Sequence, residues 1–180
     1  AFGVVVPEIA NSKLEKARVI MRRFLWSLND ESGGIGWGAP EAMAEIMVHH
    51  ERLFAEYHHM LISYMREDGP ELHADGNYLE LPMLQRGLLW GIGRLCEIKP
   101  KVMIKAGVAE DLIQYLDSED TVVSGLAVRA LSYCGDFSQK TKVEKLLTAK
   151  TQVTFLDQER CVTTTVQKLA TNYLETMQGA

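Results

Sequence analysis

Apolar side chains recur at intervals of four in two stretches of the chain, first as Leu84, Leu88, Ile92 and Cys96 and then, thirty-eight positions later, as Val122, Leu126, Ala130 and Cys134. Spacing by four lines up one face of a helix, and a face that returns at a fixed offset marks stacked helical units. The pattern around this pair predicts a helix over about 82–96, a break at Lys99-Pro100, a short helix over about 109–116 and an acidic turn. A helix over about 121–134 follows, closed by Gly135, which can take the left-handed conformation that ends a helix. A further pair is predicted over about 140–147 and 158–177, the latter with a stripe of Val162, Val166, Leu169 and Tyr173. Alternation of period two is not apparent, so the chain reads as nearly all helical.

Before the repeats the pattern is less regular. A first helix is predicted over about 12–28, with Ser12 as N-cap, Glu15 as its capping-box partner, and Ile20, Phe24 and Leu28 facing the core. A glycine-rich loop over 29–38 leads to Pro40, which suits the first turn of a helix because its missing N–H would be unpaired there. The helical stretch from about 40 to 66 is longer than an ordinary helix and is expected to bend or break near His49 and His50. Turn signals at Gly69-Pro70 and Asp75-Gly76 then set off the repeats. The expectation is one domain over 1–180, in which 1–67 forms a divergent helical pair and 78–177 the regular repeats.

Composition narrows the class. With 180 residues, 24% charged and 47% hydrophobic, the chain has the balance of an ordinary globular domain and can bury a core without a staple. The apolar runs are short, which counts against a membrane span, and nothing at the start has the form of a secretory signal; a cytoplasmic location is the expectation. Cys96, Cys134 and Cys161 form no CxxC pair, and the first two fall at equivalent points of the stripe, so both read as reduced, buried side chains in matching layers. A net charge of −5 offers no general attraction for a phosphate backbone.

The runs Arg86-Gly-Leu-Leu-Trp-Gly-Ile-Gly-Arg-Leu95, Asp111-Leu-Ile-Gln-Tyr-Leu-Asp-Ser-Glu-Asp120 and Gly125-Leu-Ala-Val-Arg-Ala-Leu-Ser-Tyr-Cys-Gly-Asp136 resemble HEAT-like repeats of the bacterial, phycobilisome-lyase-like type. The resemblance covers roughly 82–177 and implies an all-α fold, an alpha-alpha superhelix of four or five helical pairs whose second helices line a concave surface. It implies no single activity, since such repeats serve scaffolds, lyases and some nucleic-acid enzymes.

Three groups of residues are candidates for function. The 29–38 loop joins Asn29, Asp30 and Glu31 to four glycines, between Trp26 and Trp37; it reads either as a binding loop or as a cap in which Trp37 and Ile35 fold over the end of the bundle. It is not a phosphate loop, because it follows a helix, lacks the Gly-Lys-Ser/Thr ending and is preceded by carboxylates. The second group lies on helix faces. Arg86, Trp90 and Arg94 stand at intervals of four on the face away from the Leu84 stripe, and Arg18, Arg22 and Trp26 repeat the device in the first helix. Tryptophan between arginines suits an anionic or aromatic partner, unless each tryptophan packs on a neighbouring layer and the arginines pair with Asp or Glu.

The third group is histidine. His49, His50, His58 and His59 lie in one stretch with Glu45, Glu51 and Glu56, but neither zinc-peptidase spacing nor a second Glu-x-x-His is evident. No nucleophile elbow appears, and His73 with Glu71 and Asp75 reads as a hydrated turn. No catalytic, cofactor or metal residue is therefore assigned. The reading is a non-catalytic protein-interaction or scaffold module that contacts its partner through Arg22, Trp26, Asp30, Glu31, Trp37, Arg86, Trp90 and Arg94. A nucleic-acid-binding or DNA-modifying protein with a Trp/Arg groove is one alternative, with the acidic balance against it. A lyase-like carrier of a planar ligand is the other.

Overall fold

A computed structural model describes residues 1–29, 36–67, 77–157 and 160–179, and it is mostly helical. Helix α1 (Phe2–Leu28) is interrupted at Lys13, whose φ of −145° and ψ of 67° lie outside the helical region. The Phe2 and Phe24 rings meet edge to face at 5.2 Å. A straight helix would hold them about 33 Å apart, so α1 is two limbs, 2–12 and 14–28, folded against each other. The predicted first helix is the second limb. Ser12 does not cap it: its hydroxyl donates back to the Ile9 carbonyl at 3.3 Å, completing the turn before the break.

Helix α2 (Ala39–His49) starts at the expected proline, after Gly38 in the left-handed conformation, and α3 (Glu51–Ser63) follows a single extended residue. That residue is His50, whose Nδ1 accepts the Leu53 N–H at 3.2 Å, so the break falls where the sequence placed it and is capped by the histidine itself. Helices α4 (Pro82–Ile98), α5 (Pro100–Lys105) and α6 (Val108–Ile113), a 3-10 turn (Gln114–Asp117) and α7 (Thr121–Cys134) come next. Asp120 caps α7 by accepting the N–H groups of Val122 and Val123, at 2.9 and 3.3 Å, and Gly135 closes it at φ 68°.

The segment after α8 (Lys140–Glu144) and its 3-10 turn (Lys145–Thr148) departs from the prediction. Residues assigned to the start of a last helix form instead an antiparallel hairpin of β1 (Gln152–Asp157) and β2 (Arg160–Thr165), with Val153 opposite Thr164 and Phe155 opposite Val162. The helix α9 (Val166–Gly179) begins only at Val166. The reason is local: three threonines in succession, Thr163 to Thr165, favour extended backbone, and β1 alternates buried or half-buried Val153 and Phe155 with exposed Thr154 and Leu156.

The helices pack in two rows. In the first, the 2–12 limb lies on α2, α2 on α4, α4 on α7 and α7 on α9. In the second, the 14–28 limb is tied to α3 by the paired Arg18 and Glu56 and by the Tyr57 and Tyr64 hydroxyls, which donate to the Arg18 and Leu25 carbonyls. Beyond the end of α3, the Tyr115 and Gln114 side chains donate to the Met65 carbonyl, and Lys142 of α8 reaches Asp117 at 2.6 Å. The repeated stripe lies between the rows: Leu84, Leu88, Ile92 and Cys96 are buried, as are Leu126, Ala130 and Cys134, while Val122 is half-buried. Equivalent layers bring the Cys96 and Cys134 sulfurs to 3.4 Å. Close approach of α2 to α4 depends on Gly91, where a Cβ would stand 3.1 Å from the Pro40 carbonyl oxygen. Among the described residues no helix is long and apolar enough to cross a membrane.

Candidate functional site

The first row and the hairpin enclose a cavity of about 620 Å³. Its floor is α4, through Leu84, Gly87 and Trp90, with Val122 and Leu126 of α7 beside it. One wall is α2, through Pro40, Glu41 and Glu45, and the other is β1, through Val153 and Phe155. Phe2, Trp37 and Met83 stand at the rim, each about half exposed or more.

The hairpin wall is held by Arg129. This residue of α7 is only 7% exposed, and its guanidinium lies between the rings of Tyr133 and Phe155, at 5.0 and 4.7 Å. Glu97 and Asp157 supply negative charge at 3.8 Å each. The same strand receives Trp90, whose indole N–H donates to the Leu156 carbonyl at 3.0 Å.

Of the predicted contact residues, Trp37, Arg86 and Trp90 share the cavity, but not in the expected way. Trp90 was placed on a solvent face and is 5% exposed, because the unpredicted hairpin covers that side of α4. Its flanking arginines are both engaged. Arg86 donates to Asp120 through Nε and Nη2, at 2.9 and 2.7 Å, and Arg94 spans Glu45 at 2.8 Å and Glu97 at 3.1 Å. The packed, ion-paired arrangement, rather than the open one, is found on this helix. Arg22 and Trp26 belong to the second row and do not line the cavity: Arg22 pairs with Glu15 at 2.6 Å, and Trp26 is 77% exposed. Arg22 and Trp26 thus do not share a wall with Arg86 and Trp90. Asp30 and Glu31, with Ile35 and most of the glycine-rich loop, lie outside the described residues, as do Glu71, His73 and Asp75.

Glu41 is the residue that sequence reasoning missed. It sits in the first turn of α2, and its carboxyl group lies flat on α4 over Gly87, in space that a Cβ there would fill, with all three carboxyl atoms 2.6 Å from that position. Its Oε2 is buried without a hydrogen-bond partner, and no cation stands within ion-pair distance among the described residues. Burial pushes the carboxyl above its ordinary pKa, opposed by a hydrogen bond from its own backbone N–H. Neither Glu41 nor Gly87 is unusual in its own stretch of sequence, and the pairing appears only once α2 lies on α4.

The histidines are accounted for by local partners. His49 meets Glu45 at 3.4 Å, and His58 donates to the Phe54 carbonyl at 2.8 Å while stacking on that ring at 4.7 Å. Among the described residues no group of three or more His, Cys, Asp or Glu side chains could hold a metal ion. The Cys96 thiol is pushed up by its hydrogen bond with Cys134 and by burial, which favours the neutral form.

No protein-family model matches the chain, and no curated protein sequence matches it.

Proposed function

We propose that the protein is a non-catalytic interaction module, a HEAT-like repeat domain in which the two rows of helices form an alpha-alpha superhelix and the first row receives a segment of a partner protein. The observation that carries this reading is the cavity of about 620 Å³ on the first row, floored by apolar side chains and rimmed by exposed Phe2, Trp37 and Met83. A groove of this size with aromatic anchors at its mouth matches the way helical-repeat surfaces take up peptide segments. The charges favour a protein over a nucleic acid. Arg86 and Arg94 are neutralised by Asp120, Glu45 and Glu97, and the Glu41 carboxylate in the cavity would repel phosphate.

A photo-cross-linking amino acid in place of Met83, which is 49% exposed at the rim, tests the reading in the cell of origin, with Val19 of the second row as control. The expected result is a discrete, nuclease-resistant and protease-sensitive adduct formed from position 83 alone. A nuclease-sensitive adduct, or the same adducts from both positions, would overturn it.

A further inference from the structure

We propose that the cavity recognises a lysine or arginine side chain carried by the partner segment, with the Glu41 carboxylate as its counter-charge and flanking apolar residues of the segment on the floor of α4 and α7. This inference rests on the reading of the cavity as a peptide groove and adds what the groove selects. Four observations meet in it. Glu41 lines the cavity and has no cationic partner among the described residues, although the other carboxylate of that wall, Glu45, is bound by Arg94. Its buried Oε2 makes no hydrogen bond, so the fold retains a desolvated acceptor that nothing among the described residues satisfies. Among the described residues Arg86 is the one arginine that lines the cavity, and it is committed to Asp120 rather than to Glu41. Phe2, Trp37, Trp90 and Phe155 contribute aromatic side chains to the lining of the same cavity.

A carboxylate among aromatic rings is a cation receptor. An ammonium or guanidinium group gains a charge-assisted hydrogen bond from the first and a cation–π contact from the second, and both strengthen as water is expelled. An anionic group entering the same space would be repelled, and a neutral donor would hydrogen-bond the carboxylate without neutralising its charge. The cavity is also larger than one basic side chain needs. Leu84, Val122, Leu126 and Val153 present an apolar surface beside Glu41, which suits hydrophobic residues next to the basic one.

A random peptide library displayed and selected against the whole chain provides the probe, and enriched peptides, synthesised with a fluorophore, are then titrated by anisotropy. We expect enriched sequences to share one Lys or Arg next to apolar residues. Exchanging that residue for norleucine, or for citrulline where it is arginine, should weaken binding at least tenfold, and Glu41→Gln should weaken the original peptide by a similar factor. Ala42→Trp, which fills the cavity from the α2 wall, should abolish binding. Peptides that are lost with Ala42→Trp but indifferent both to Glu41→Gln and to loss of their own charge would overturn the cation inference and leave the groove reading standing. A selection in which no enriched peptide is weakened by Ala42→Trp would overturn both. The peptide substitutions leave the protein untouched, so the result does not depend on how well a Glu41 variant folds.

Discussion

Arg129 offers the sharpest test of how the cavity wall is built, because large terms of opposite sign meet in one side chain. Two ring contacts at 4.7 and 5.0 Å in a buried setting contribute about 1 to 2 kcal/mol each. Truncating the side chain to alanine also leaves a void between α7 and β1, worth about 1 to 2 kcal/mol more. Against this, Nη1 and Nη2 are buried without hydrogen bonds, and their removal recovers a desolvation cost of about 1 to 3 kcal/mol. The carboxylates at 3.8 Å change little: Glu97 keeps Arg94, and the Asp157 side chain is 37% exposed. Arg129→Ala is therefore expected to lose about 2 to 3 kcal/mol, while Arg129→Met, which refills the space without charge, is expected to lose less than about 1 kcal/mol. Urea unfolding followed by far-ultraviolet circular dichroism gives both numbers, and tryptophan emission should shift to the red in the alanine variant as the hairpin releases Trp90. An alanine variant within about 0.5 kcal/mol of the parent would refute the claim that this residue holds the hairpin. Equal losses in the two variants would show that charge, and not packing, decides.

Three further outcomes follow from the same physics. Trp90→Ala should cost about 3 to 5 kcal/mol and Trp26→Ala less than about 0.5 kcal/mol, since one indole is buried and bonded to Leu156 and the other is 77% exposed; comparable unfolding midpoints for the two would contradict the placement. Leu88→Ala should lose about 2 to 5 kcal/mol by chemical denaturation, and Leu126→Ala should fall at the low end because it borders a cavity into which its neighbours can relax; losses below about 1 kcal/mol at both would remove the shared stripe from the core. For Glu41, the folded carboxyl binds its proton more tightly than the unfolded chain, whose value is 4.5, so its charge costs stability above the folded pKa and the cost fades as pH falls through it. Unfolding measured from pH 4.5 upward should show a downward slope with rising pH that Glu41→Gln flattens, and identical slopes would mean that the carboxylate is solvated.

The repeat was the most legible part of the fold, because a stripe of fixed spacing reports burial directly. Leu84 to Cys96 and Leu126 to Cys134 lie in the core, and the matched cysteines meet at 3.4 Å, so the offset of the two stripes is a distance in space as well as in sequence. Helix ends were legible where one residue decides them, as at Pro40 and Gly135. The fold-back at Lys13 was not, since the apolar residues on either side continue in helical spacing and the reversal shows in the Lys13 backbone and the Phe2–Phe24 contact. The hairpin was missed for a related reason: Val162 and Val166 are four apart, which satisfies a helical stripe as readily as it continues a strand into a helix. A short segment leaves the two periods ambiguous.

That single miss accounts for the expectation that Trp90 faces solvent. A helix face judged by the sequence of its own helix is exposed only if nothing from elsewhere in the chain covers it. On α4 the cover is β1, sixty-six positions from Trp90 at the bonded Leu156. Once the strand is in place the meaning of each residue changes. Trp90 passes from contact residue to floor, Arg86 and Arg94 become the bonds that fix α4 to α7 and α2, and the available charge moves to Glu41, on a helix that showed no distinguishing pattern. The tryptophan and its paired arginines build a rigid floor beneath the cavity. Under the proposed cation recognition, the recognising group is the one that the described residues leave without a partner.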